Sequence, residues 1–77
     1  MRVRHMATKS RKEMIQQLLA DDPNNAEMRY LLGMEHVTEG DDAAAVSCFE
    51  AAIMADPTYA HAYHQAARLA ARWYTSQ

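Results

Sequence analysis

The sequence predicts an all-α fold of four helices paired as antiparallel hairpins, and three observations carry that expectation. Hydrophobic residues make up 49% of the 77 positions, many of them alanine, with only two glycines and two prolines to interrupt helices. Two segments close alike, "LLADDP" and "AAIMADP", and their prolines, Pro23 and Pro57, stand 34 residues apart. Capping residues recur at the ends of the apolar stretches, where a helix must satisfy its free backbone groups.

Taken in order, the first helix is expected over about Arg11 to Asp21. Ser10 is its N-cap, and Glu13 three residues on closes a capping box. The second starts after Pro23, with Asn24 as cap and Glu27 repeating the arrangement, and ends near Glu39, because Gly40 can take the left-handed conformation that stops a helix. The third runs from about Asp42 to Ala55, with Asp41 or Asp42 as an acidic cap, and stops before Pro57, which disfavours helix at Asp56. Thr58 is expected to cap a fourth helix reaching about Tyr74. The short connections make neighbouring helices antiparallel. Residues 1–8 are read as a flexible leader and 9–77 as the helical domain.

The spacing of the two prolines extends into their surroundings. At that offset Asp22 falls on Asp56, Leu19 on Ile53, Leu18 on Ala52, Ile15 on Phe49 and Met14 on Cys48. Downstream, Ala26 falls on Ala60, Met28 on Ala62, Leu32 on Ala66 and Gly33 on Ala67. Apolar positions meet apolar ones and small meet small, which is what one structural unit used twice requires.

Size and charge narrow the function classes. A chain of this length supports one small core and leaves little room for a large catalytic cavity. A net charge of −2 offers no basic face for nucleic acid. No run approaches the ~20 apolar residues of a membrane span. Cys48 is the single cysteine and has no partner for an internal disulfide, so a reducing, cytoplasmic setting is the simplest expectation. No phosphate loop, nucleophile elbow or cofactor motif is present, so neither catalysis nor a cofactor is expected. His61 and His64, with His36 and Cys48, show no recognised metal-ligand spacing. Cys48 reads as a small core residue, and Met28, Met34 and Met54 as core filler, with Met34 the one that could instead face a groove.

The stretch "AEMRYLLGMEHVTEGDDAAAVSCFEAAIMADP" resembles a tetratricopeptide repeat, a 34-residue helical hairpin. Leu32-Gly33, Ala45, Phe49, Ala52 and Pro57 fit its pattern, whereas Arg29 stands where the family favours Trp and His36 where it favours Tyr. The resemblance covers one full repeat, 26–59, with half repeats on either side, and implies a fragment of an α-α superhelix. It also implies a protein-interaction function in which the first helices of successive repeats line a concave face that holds an extended peptide. Carried onto this chain, that face would present Glu27, Tyr30, Met34 and Val37 or Thr38 from the second helix, and His61, His64, Arg68 and Arg72 from the fourth. Helical spacing agrees for the latter set, since His61, His64, Gln65, Arg68 and Arg72 fall within an arc of about 100°. Arginine presents a planar fork to carboxylates, so a protein or peptide partner with acidic groups is the expectation.

A second expectation concerns assembly. The polar residues of the fourth helix cover about 120° of arc and leave about 200° apolar, including Tyr59, Tyr63, Leu69, Trp73 and Tyr74. Tyr63, Leu69, Trp73 and Tyr74 would then form a self-association patch, closing a two-fold homodimer in which fourth helices pack on one another.

Overall fold

The computed structural model describes residues 10–75, and within them the side chains of residues 73 and 74 are not described. The leader assigned to residues 1–8 lies outside the described residues. Four helices follow in order: α1 (Arg11–Asp21), α2 (Ala26–Thr38), α3 (Asp42–Ala55) and α4 (Ala60–Thr75). The all-α class, the number of helices and the bounds of α1 and α3 agree with the sequence reading.

The starts of α1, α2 and α3 each have a side-chain cap. Ser10 Oγ accepts from the Glu13 amide at 3.1 Å while Glu13 Oε1 accepts from the Ser10 amide at 2.9 Å, which is the expected capping box. Asp41, not Asp42, caps α3, its Oδ1 accepting from the Ala44 amide at 3.1 Å. Gly40 closes α2 with φ of +81°, the left-handed region where a Cβ is penalised.

Two expected caps lie elsewhere. α2 is capped by Asn25, whose Oδ1 accepts from the Met28 amide at 3.0 Å. The reciprocal Asn24–Glu27 arrangement is therefore absent, because the turn after Pro23 takes one more residue. At the other junction Thr58 does not cap α4. Asp56 Oδ1 accepts from both the amide and the hydroxyl of Thr58, at 3.0 and 2.7 Å, which spends Thr58 on the turn and starts the helix at Ala60. Those two bonds hold the Asp56 carboxyl below its usual range.

The core has two neighbouring parts. Ile15, Leu19, Leu32 and Cys48 gather α1, α2 and α3, with Met28 and Leu31 packed beside them. Ala45, Phe49 and Leu69 gather α3 and α4, with Tyr30, Met34, Val37, Val46 and Ala66 around them. Phe49 is wholly buried, and so are Ala45, Ala52 and Ala62. The alanines let the helix axes approach closely, and Phe49 fills the groove between them. Cys48 has the expected core placement, and burial pushes its thiol pKa up.

The helix pairs are held differently. α2 and α3 share the most extensive contact, α3 and α4 less, and α1 and α2 least. The α1–α2 seam adds charge at its rim: Arg11 Nε lies 2.6 Å from Glu35 Oε2 and Lys12 Nζ 3.0 Å from Glu39 Oε1. His36 Nδ1 stands 3.4 Å from the same Glu39 oxygen, too poorly aimed for a hydrogen bond.

Candidate functional site

Alternate helices share one face, because each hairpin returns the chain to the same side. α2 and α4 therefore lie next to each other with Tyr30 at their meeting point. Its ring centroid is 5.6 Å from Phe49, 5.4 Å from Tyr59 and 6.0 Å from His61, and the Tyr59 and His61 rings meet nearly edge-on at 6.1 Å. Such tilted and edge-to-face contacts are the favoured aromatic geometries. Phe49 anchors the cluster in the core, Tyr30 and Tyr59 are half-buried, and His61 is exposed. Burial, then the nearby charge of Glu27, pushes the Tyr59 phenol pKa up, so an acidic group borders the rings.

The structure brings together Tyr30 and His61 as expected, with Glu27 nearby. His64 and Arg68 are exposed further along α4. Met34 and Val37 are half-buried, their apolar surface spent largely on the Phe49 cluster. Thr38 is exposed, and its hydroxyl donates to the Met34 carbonyl at 3.1 Å, so its proton serves its own helix.

Arg72 requires a correction. Its Nη2 lies 2.9 Å from Asp42 Oδ1, so it ties the end of α4 to the start of α3 and is not a free cation of the face. Spacing placed it on the same arc as Arg68, but spacing within one helix carries no information about an acid at the start of another.

Leu69 is a second correction. It is 5% exposed and packs with Ala45 and Phe49, so it does not belong to an exposed self-association patch. Much of the wide apolar arc of α4 is covered within the chain: Ala62 is wholly buried, and Leu69 and Ala66 pack in the cluster of Ala45 and Phe49 from α3. What remains open is narrower: Ala60, Tyr63, Ala67 and Ala71 are exposed, Tyr63 at 49%. The Trp73 and Tyr74 side chains, also expected in that patch, lie outside the described residues.

Tyr59 joins the shared face although sequence reasoning placed it in the apolar arc of α4. Its signal was its position two residues before His61, at the helix entry. Among the described residues no three His, Cys, Asp or Glu side chains gather as a metal site would. An adjoining open groove, about 560 Å³, runs along α1 and α2 with Met14, Ile15 and Leu18 on its α1 wall, and it shares Tyr30 and Met34 with the face above.

Comparison with known families gives a match to a tetratricopeptide repeat model over residues 26–59. No curated protein and no solved structure matches the chain.

Proposed function

Residues 26–59 are a tetratricopeptide repeat, of a kind that generally mediates protein–protein interaction, and on that premise we propose that this chain is a non-catalytic module that holds an extended peptide against the face shared by α2 and α4. The observation that carries the reading is the half-open aromatic cluster of Tyr30, Tyr59 and His61, continued along the same helix by exposed His64 and Arg68. Aromatic rings offer large apolar contact at low cost in side-chain entropy. Arg68, about two helical turns beyond His61, supplies a planar donor for a carboxylate. A peptide with an apolar anchor followed by an acidic residue meets both requirements. The surface amounts to little more than one repeat, smaller than a standard interface, and the affinity expected is weak and transient. The lone thiol of Cys48, held in the core, accords with a reducing, cytoplasmic setting as part of the same proposal.

The test is fluorescence anisotropy with a panel of labelled ten-residue peptides that vary an aromatic or aliphatic anchor and the position of one or two acidic residues. Arg68→Glu is expected to weaken the acidic peptides at least tenfold while leaving the helical circular dichroism unchanged, because Arg68 is exposed. Equal binding by parent and Arg68→Glu removes the basic arm from the site. Arg72→Glu is the wrong probe, since it would set like charges against Asp42 and disturb the fold.

Self-association through α4 is the second reading, favoured by the exposure of Tyr63 at 49% beside three exposed alanines. A two-fold dimer of α4 helices is its simplest form and would rest on Tyr63 without Leu69.

A further inference from the structure

The groove along α1 and α2 borders the proposed peptide face, sharing Tyr30 and Met34 with it, and its α1 wall is the part that neither reading uses. Met14 and Leu18 stand 48% and 53% exposed on its wall, while Ile15 forms part of its floor. The internal repeat says what kind of element fits there. At the offset of the two prolines α1 corresponds to α3, and α4 corresponds to α2. The α2–α3 pair is the most extensive helix contact in the molecule. Its counterpart would be α4 against α1, which one copy cannot form because α2 and α3 lie between them.

We infer that α4 of one copy docks into the α1–α2 groove of the next, so that copies associate head to tail and continue the helical stack. Two details of the side chains support a second copy as the occupant. The first is steric. Gly33 faces Phe49 so closely that a Cβ would lie 2.5 Å from the ring. In the corresponding pair Ala67 stands for Gly33 and Ile15 for Phe49. The added methyl on one helix is matched by a smaller side chain on the other, which keeps the contact filled without overpacking.

The second detail is charge. α4 carries His61, His64, Arg68 and Arg72 and no acidic residue. Tyr30 lies against Tyr59 and His61, and the same offset sets His64 of one copy, in the place of Tyr30, near Asn25 and Glu27 of the next. Met34 packs on the cluster that contains Leu69, and the offset sets Arg68, in the place of Met34, near Glu35. His64 would thus meet Glu27, and Arg68 would join the Arg11–Glu35 pair at the groove's rim, where Tyr30 and Met34 pack within one chain. Docking would also bury the open arc of Ala60, Tyr63, Ala67 and Ala71. The contact is heterologous, so it leaves one free end at each side and grows with concentration instead of closing at two copies. Docking engages His64 and Arg68 of one copy and the groove beside Tyr30 of the next, so it competes with peptide for those residues, while a single copy keeps its face whole.

Sedimentation equilibrium of the full chain and two variants tests the inference. Leu18→Glu spoils the α1 groove and Ala67→Glu spoils the α4 face, and both positions are exposed in the single chain, so helicity should be retained. The parent is expected to show a mass that rises past two copies with concentration. Each variant alone should be monomeric, whereas an equal mixture should give one dimer that does not grow, since it retains one intact groove and one intact α4. A parent that stays monomeric at about 1 mM overturns the inference. So does a Leu18→Glu variant that dimerises like the parent, which would indicate the two-fold α4 contact. A mixture that remains monomeric, or association that is gained only when residues 1–8 are deleted, also overturns it, the latter by pointing to the chain's own leader as the occupant.

Discussion

A Cβ at position 33 would lie 2.5 Å from Phe49 Cε1 and 2.8 Å from its Cδ1. Glycine is normally a poor choice inside a helix, costing about 1 kcal/mol against alanine. Here the close approach of α3 reverses the preference, because overpacking costs about 1–3 kcal/mol and the neighbour is an aromatic ring buried on every side. Gly33→Ala is therefore expected to lower stability despite its better helix propensity, and Gly33→Leu to lower it by more than about 2 kcal/mol in urea unfolding. The pair Gly33→Ala with Phe49→Leu should lose less than the sum of its single changes, as the Ala67 and Ile15 pairing implies. Strict additivity in that double-mutant cycle would show that the two positions do not touch.

At the scale of the elements, local signals do most of the work. Ser10, Asn25 and Asp41 each accept from an amide three residues on, satisfying a donor that a helix start leaves free. The weakest junction, α1 on α2, depends more on charge. Lys12 donates to both carboxylate oxygens of Glu39, and this hydrogen bond, followed by the charges of Lys12 and His36, holds the Glu39 carboxyl below the usual glutamate range. A depressed pKa in the folded state stabilises the fold above the ordinary glutamate pKa, and that contribution is lost as pH falls through the lowered value. The melting temperature of the parent should accordingly exceed that of Glu39→Gln at neutral pH and converge with it in acid. Added salt should shrink the same gap, because Glu39 is exposed. A gap that persists below the lowered pKa would mean that Glu39 acts through packing and not through its charge.

At the scale of the whole molecule, the described residues form a slab of 46 × 28 × 14 Å, with α2 and α4 on one side and α1 and α3 on the other. In a slab each helix relies on its sequence neighbours, so stability is distributed pair by pair and the least covered helix opens first. α1 buries Ile15 and Leu19 but leaves Met14 and Leu18 half-exposed, whereas α3 buries Ala45, Cys48, Phe49 and Ala52. Amide exchange should therefore be fastest along α1 and slowest across the centres of α2 and α3. If the head-to-tail contact forms, protection of both α1 and α4 should rise with protein concentration while α3 stays unchanged, since the two docking helices are the ones that gain cover.

The sequence by itself determined the all-α class, the four helices, the repeat offset and the hairpin order. Those features follow from periodicity and from caps, which act over three or four residues and are written next to the residues they govern. The resemblance to the repeat family also implied that Tyr30 and His61 share one face, and their ring centroids lie 6.0 Å apart. What the tertiary structure decided was which side of α4 is covered. Leu69 and Tyr63 both read as apolar residues on one wide arc, and only the approach of α3 buries the first and leaves the second open. The same holds for Arg72, which one-helix spacing places beside Arg68 but which Asp42, thirty residues earlier, holds at 2.9 Å. Contacts between residues so far apart depend on how the helices cross, and crossing is fixed by the packing of Phe49 against Gly33 and not by any pattern within a single helix.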